Sequence, residues 1–291
     1  MAHRRAYWGI SVILSGPLTQ AGERNEVVMD SGYLAGRTVG EAEIAGWVEQ
    51  FHRDGYLFLE NVLTPAMVCR LKDDLERALA DHQDNGGGVI ELHCRMFETS
   101  DANLHLFAME PIVTFAEALV EKSCHVVHNN SFRTPLGKGI TTWHQDDAPH
   151  YCVTHGEPPT NVRLPVLLFT CNYYLTDVPT VAHGPTQVIP GSHLFGSSPP
   201  PVMEGTEWED KIVSCLGSAG SVMMFNNQVW HRGAPNHSDV PRCMTQVSYG
   251  RRMVNHFFFP FMNYQMPAHC YENAAPRLRR LLGFLPSGAY G

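Results

Sequence analysis

Residues 141–150 read Thr141-Thr142-Trp143-His144-Gln145-Asp146-Asp147-Ala148-Pro149-His150 and contain a His-x-Asp step, His144 and Asp146. On a strand, residues i and i+2 project to the same face, so an imidazole and a carboxylate would stand side by side. One nitrogen and one oxygen ligand, completed by a histidine from elsewhere, make a facial triad. Such a triad leaves positions open on an Fe(II) ion for a co-substrate and O2. By itself the step is weak. In a chain with 16 histidines roughly one such pair is expected by chance, and most are loop or surface residues.

Around this step the texture is that of short strands. Runs at 124–128, 164–175, 212–215 and 221–225 are separated by Gly, Pro and Asn, with a helical piece at 111–121 between the first of them and Gly88. Upstream the period is helical. Ile44, Trp47, Val48 and Phe51 fall at i, i+3, i+4 and i+7, and Asp54-Gly55 ends that helix. A short apolar strand at 56–59 follows. Thr64-Pro65 then starts a second helix with an N-cap hydroxyl and a proline at the first helical position. Its stripe of Met67, Leu71, Leu75 and Leu79 runs to about His82, before the glycine-rich break at 84–88. Helices first and many short strands afterwards predict a mainly β fold, a sandwich or barrel with flanking helices. One domain over 40–291 is expected, behind a mobile N-terminal extension at 1–39. Residues 148–165, rich in Pro and His and directly after the His-x-Asp step, read as a lid-like loop.

Composition narrows the function. At 291 residues, 44% hydrophobic and 17% charged, the chain is globular and able to bury a core. A net charge of −8 argues against nucleic acid or an anionic membrane as the main partner. The eight cysteines form no Cys-x-x-Cys pair, which argues against a zinc ribbon or thioredoxin-type site and for reduced thiols in the cytoplasm. No apolar run approaches the ~20 residues of a membrane span. Arg4-Arg5 followed by an apolar stretch at 7–14 imitates a secretory signal, but Gly9 and Ser11 interrupt it; Met29 is an alternative start. The pattern specifies no oligomeric state.

Three further features converge on the metal reading. A strand-like run ends on Trp230-His231, and Arg242 follows eleven residues later, leading into 244–249. Antiparallel strands there would set His231 and Arg242 on facing walls of one cavity. That suits a dicarboxylate chelated by metal at one end and clamped by a guanidinium at the other. The third feature is His183-Gly184-Pro185-Thr186-Gln187-Val188-Ile189-Pro190-Gly191-Ser192-His193. In this order the four pieces resemble the phytanoyl-CoA dioxygenase family of Fe(II)/2-oxoglutarate oxygenases, over about residues 41–283. The family often has Asn-Gly where this chain has His183-Gly184.

The resemblance implies a double-stranded β-helix (a cupin-like jelly roll) with iron held by His144, Asp146 and His231, and 2-oxoglutarate and O2 as co-substrates. It implies no catalytic side chain beyond the metal ligands. Arg242 would pair with the 5-carboxylate of 2-oxoglutarate. Asn172 stands where many relatives carry a tryptophan; its amide would donate to the 1-carboxylate or serve structurally. Asn129 and Ser131, on the strand before His144, are candidates for the same wall, and Arg95 for the family's upstream basic residue. Tyr151, His155 and Arg163 would face the substrate from the loop. His193 is a structural turn residue on this reading, and Asp147, on a strand, points away from Asp146 as a loop-anchoring carboxylate.

The expected activity is oxidation of a C–H bond, in the simplest case hydroxylation, of a small-molecule metabolite in a specialised pathway. Halogenases of the family carry Ala or Gly in place of Asp146, so oxygenation or desaturation is expected here. An acyl-CoA hydroxylase is the alternative closest to the family name, but Arg163, Arg232, Arg251 and Arg252 are too scattered for a coenzyme A patch. A non-catalytic jelly-roll binding protein would be expected to have lost a ligand or Arg242, and all four residues are present.

Overall fold

The apolar stripe Ile44, Trp47 and Phe51 forms the buried face of α1 (Glu41–Asp54) in the computed structural model, which describes residues 38–81 and 88–285. The expected N-terminal extension, with its signal-like stretch and Met29, lies through residue 37 outside the described residues, as do residues 82–87 of the glycine-rich break. Helix α1 stops at Gly55, whose φ of 78° lies in the left-handed region that favours glycine. A Cβ there would also sit 2.5 Å from His193 Nδ1. The chain turns into β1 (Tyr56–Leu59) and then α2 (Pro65–Asp81), where the Thr64 hydroxyl accepts from the Met67 N–H at 3.3 Å.

The remaining elements are β2 (Glu91–Cys94), α3 (Asp101–Leu106), α4 (Ile112–Leu119), β3 (His125–Thr134), β4 (Leu168–Tyr174), β5 (Thr186–Val188), β6 (Val213–Ser214), β7 (Val222–Asn226), β8 (His231–Gly233), β9 (Arg242–Gly250) and α5 (Pro276–Leu281). Six strands make an antiparallel major sheet in the order β1-β7-β4-β9-β3-β2, and three make a minor sheet in the order β6-β5-β8. Phe132, Tyr174, Val188, Met223, Phe225 and Met244, drawn from both sheets, pack between them. This is the double-stranded β-helix expected from the sequence.

The outer face of the major sheet carries the larger core. There Phe115 of α4 meets Phe51 of α1 and Phe169 of β4, each at 5.7 Å between ring centroids, and Phe169 stacks on Tyr249 at 5.4 Å. Each fully buried side chain of this size contributes about 1.5–3 kcal/mol. With that face sealed by helices, the inner face is left to line a cavity.

The Pro190-Gly191-Ser192-His193 run is a brace between α1 and β8. The Gly191 N–H donates to the Asp54 carbonyl at 2.8 Å, His193 Nε2 bonds the His52 carbonyl at 3.1 Å, and Ser192 Oγ accepts from the Trp230 N–H at 2.7 Å. Burial pulls the His193 pKa from 6.5 down to about 4, so the folded chain refuses a proton that the unfolded chain accepts. The stabilisation is complete above pH 6.5 and is lost as pH falls toward about 4, by about 3 kcal/mol in all. His193→Gln is expected to flatten the difference in melting temperature between pH 7 and pH 5. An unchanged difference would place the acid sensitivity elsewhere.

Candidate metal centre and cavity

His144 and His231 meet backbone to backbone. They form an isolated antiparallel bridge and exchange both N–H···O bonds at 3.0 Å. The strand expected at 144 is thus reduced to one bridged residue. Beyond it the chain is held by the Asp146 N–H donating to the Asn227 carbonyl at 3.0 Å and by Gln145 Nε2 donating to the Gln228 carbonyl at 2.9 Å. Asp146 Oδ1 then lies 3.7 Å from His144 Nε2 and 3.3 Å from His231 Nε2, and one ligand atom from each residue falls within 4.8 Å of the others.

The far side of each ring is also committed. His144 Nδ1 bonds the Thr142 carbonyl at 2.8 Å and His231 Nδ1 the Val229 carbonyl at 2.9 Å. With Nδ1 protonated, Nε2 is the nitrogen each ring turns toward Asp146, and it is the one a metal would take. Burial lowers the His231 pKa, but the Asp146 carboxylate more than reverses this and the net direction is up. Burial raises that of Asp146, and the His231 charge and hydrogen bond outweigh it, so the net direction is down. His144 is lowered, by burial and then by His231.

Arg242, at the start of β9, is only 3% exposed. Its Nη1 donates to the Gly184 carbonyl, Nη2 donates to Thr134 Oγ1 at 3.2 Å, and Nε is buried without a partner. Burial brings its pKa from 12.5 down to about 10, so it is still a cation at pH 7. No carboxylate pairs with it among the described residues. A buried cation without a counter-ion is costly, and an arriving carboxylate would remove that cost. Gly184 is required for this geometry. Its φ is +66° and a Cβ would lie 2.8 Å from the Ala234 carbonyl. Two imidazoles with one carboxylate fit Fe(II), and the unsatisfied guanidinium fits the remote carboxylate of 2-oxoglutarate.

A cavity of about 560 Å³ opens beside Asp146. The inner face of the major sheet supplies His128, Thr170, Gln246 and Ser248, while Asp147, His150, Leu167, Val254 and Phe257 also line it. Asn172 shares that inner face, its Oδ1 accepting from Gln246 Nε2 at 3.0 Å.

Other sequence expectations are corrected. Asn129 and Ser131 do not line the cavity. The Asn129 Oδ1 accepts from the Phe97 N–H at 2.9 Å, and Ser131 Oγ bonds Thr245 Oγ1 at 2.5 Å. A bulge between Val126 and His128 sets which residues of β3 face inward, and a one-residue difference exchanges the faces. Their neighbours His128 and Asn130 face inward instead. Arg95 turns to the segment after β9, where Nη1 donates to the Phe259 carbonyl at 3.1 Å and the guanidinium lies 5.5 Å from the Tyr264 ring. Asp147 does not point away from Asp146, because the chain bends after the bridge and brings both to one cavity.

The loop at 148–165 docks sideways. The Tyr151 hydroxyl donates to the Leu194 carbonyl, the Val153 N–H donates to the Gly196 carbonyl at 3.1 Å, and Arg163 pairs with Glu49 of α1. His155 is exposed beside Thr154. Of this loop, His150 lines the cavity, while Tyr151, Leu164 and Pro165 line a smaller cavity of about 170 Å³ that shares His150 and Leu167 with it. Tyr151→Phe is therefore expected to cost about 1 kcal/mol of stability and leave 2-oxoglutarate affinity within twofold, read by thermal melting and anaerobic titration. A large loss of affinity would place Tyr151 against the co-substrate. The residues that cover the cavity instead, Val254 and Phe257, come from beyond β9. The aromatic run Phe257-Phe258-Phe259-Pro260-Phe261 was the available signal.

No helix among the described residues is long and apolar enough to cross a membrane. The model of the phytanoyl-CoA dioxygenase family matches residues 51–244. A dioxygenase named andF from Emericella variicolor is 29% identical over 143 residues, covering 48% of this chain but only 45% of that protein. Ectoine dioxygenase of Bordetella parapertussis is 22% identical over 240 residues, covering 72% of this chain and 76% of its own. Among solved structures, HygX from Streptomyces hygroscopicus with nickel and 2-oxoglutarate bound superposes with a TM-score of 0.61 at 13% identity, over 79% of this chain and 96% of that one. The 2-oxoglutarate-dependent epimerase SnoN of nogalamycin biosynthesis does so at 0.58 and 23% identity, over 73% and 85%. These structural likenesses concern the fold.

Proposed function

From the premise that the chain belongs to the phytanoyl-CoA dioxygenase family of Fe(II)- and 2-oxoglutarate-dependent oxygenases, we propose that it oxidises a C–H bond of a small, uncharged metabolite. In the simplest outcome it hydroxylates that bond while 2-oxoglutarate is converted to succinate and CO2. The observation that carries the reading is the pairing of a His144–Asp146–His231 triad with the buried guanidinium of Arg242, which meets no carboxylate among the described residues and whose Nε has no partner.

His144, Asp146 and His231 would hold the metal. When bound, it supplies the activation of O2 that couples decarboxylation of 2-oxoglutarate to attack on the substrate. Arg242 would take the remote carboxylate and so fix the co-substrate's direction. The Thr142 and Val229 carbonyls keep both imidazoles in the ligating tautomer. Leu167, Val254 and Phe257 cover the cavity and limit water beside the reacting carbon. The polar inner wall would position the substrate's C–H.

Apart from the ligand Asp146, the cavity lining contains one carboxylate, Asp147, and neither lysine nor arginine. That supports an uncharged substrate over an acyl-CoA thioester, whose phosphates need cations. The similar fold of SnoN, an epimerase of nogalamycin biosynthesis, favours specialised metabolism. With Asp146 retained, oxygenation is expected and chlorination is not. Anaerobic addition of Fe(II) and then 2-oxoglutarate should produce the weak visible charge-transfer band of the chelate. Absence of both the band and binding would refute the proposal.

A further inference from the structure

Large apolar side chains stand in solvent along the segment after β9. Met253 is 80% exposed, Phe257 53%, Phe259 82%, Phe261 49% and Met262 80%. Scattered exposed hydrophobics are ordinary, but a contiguous patch marks an interaction site. This display is held in place from below. Phe258, only 4% exposed, packs on Phe97 at 5.3 Å and on Tyr264 at 5.1 Å. The Phe257 N–H donates to the Val127 carbonyl at 2.7 Å, and the Val254 carbonyl bonds His125 Nε2 at 2.8 Å. Arg95 holds the Phe259 carbonyl. Inward anchors thus fix the apolar neighbours outward.

The patch is continuous with the cavity, because Val254 and Phe257 line it and the Phe257 ring lies 6.0 Å from that of His128 on its inner wall. Polarity is graded along the way. The inner wall offers Thr170, Gln246 and Ser248, the outer cover offers Val254 and Phe257, and the lining holds neither lysine nor arginine. Resting on the reading of this cavity as the dioxygenase's substrate pocket, we infer that the substrate is an uncharged molecule with an apolar body longer than the cavity. Its protruding part lies along Phe257, Phe259 and Met262. A fatty acid or an acyl-CoA thioester finds no lysine or arginine in the cavity lining to meet its charge; a second copy of the chain or a neutral bilayer would be a different occupant of the same patch.

The test uses the full metal-free chain with 1-hexanol, 1-decanol and decanoate, their affinities measured by saturation-transfer NMR. Each additional buried methylene is worth about fourfold in affinity. Decanol should therefore bind at least tenfold more tightly than hexanol, and at least tenfold more tightly than decanoate. The double substitution Phe257→Ser, Phe259→Ser should reduce the decanol-to-hexanol ratio below threefold, while Val202→Ser, at an exposed apolar residue outside the segment, preserves it. Because the ratio is internal to each variant, a general loss of folded protein does not mimic the result.

No binding of decanol to the wild type, an unchanged ratio in the double variant, or decanoate binding as tightly as decanol would overturn the inference. So would an unchanged ratio accompanied by lost flotation on phosphatidylcholine vesicles or by dissociation of a dimer in sedimentation, which would assign the patch to a bilayer or to a second copy. The double variant should still give the Fe(II)–2-oxoglutarate band. If the wild type lacks that band the dioxygenase reading fails, whereas the alkanol ratio is decided without metal.

Discussion

Arg242→Ala is expected to weaken 2-oxoglutarate binding by about 10²–10³-fold while Fe(II) affinity stays within a few-fold. Truncating one partner of a buried, hydrogen-bonded charge pair costs about 2–5 kcal/mol. Arg242→Lys should fall between, since a point charge cannot reproduce the planar fork that meets Gly184 and Thr134 and still offers Nε to a carboxylate. Anaerobic titration of the visible band measures both affinities. The stability of the chain without co-substrate should move the other way. There the guanidinium is a buried charge without a counter-ion, so Arg242→Met should melt no lower than the wild type. If Arg242→Ala turned over with an unchanged requirement for 2-oxoglutarate, the co-substrate would not be held by this residue, and a metal enzyme of another kind would become the better account.

His231→Ala should reduce Fe(II) affinity by more than about 100-fold, since even loss of a residue that only orients a ligand costs about 10–100-fold. The bridge between His144 and His231 is a backbone contact, so alanine can keep the sheet while the ligand is lost. The pH dependence carries its own check. Asp146 raises the His231 pKa, and metal must displace the proton held there. Apparent Fe(II) affinity should therefore climb as pH rises through that raised pKa and flatten above it. In Asp146→Asn the carboxylate that holds the proton is gone, so the climb should shift to lower pH as overall affinity falls. Isothermal titration in two buffers of different ionisation enthalpy would count the released proton. A wild-type affinity independent of pH between 5 and 8 would contradict this coupling.

Much of the fold was legible because its rules are local. The stripe of α1, the Thr64-Pro65 start of α2, and the glycine that ends α1 each depend on a handful of adjacent residues, and each appears where its pattern placed it. Boundaries shifted where pairing decided them. The strand begun at 124–128 continues to Thr134 because β9 runs alongside it for its whole length. The strand foreseen around His144 shrinks to a single bridge because β8, its partner, is only three residues long.

The sequence by itself pointed to a candidate ligand set, His144, Asp146 and His231, whose ligand atoms the fold brings within 4.8 Å of one another, and to Arg242 as the candidate clamp, because the chemistry of these residue types is recognisable without knowing what surrounds them. It also determined the class of fold, through periodicity and turn chemistry. Only the tertiary structure decided which residues of β3 face the cavity, since a single bulge exchanges the faces and no residue type announces it. Only the tertiary structure sent Tyr151 and Arg163 to Leu194 and Glu49, and brought Phe257 over the cavity. Arg95 and the Phe259 carbonyl meet across 164 positions, and Arg163 and Glu49 across 114. Contacts of that separation arise from how whole sheets and helices pack, a property that no local period encodes.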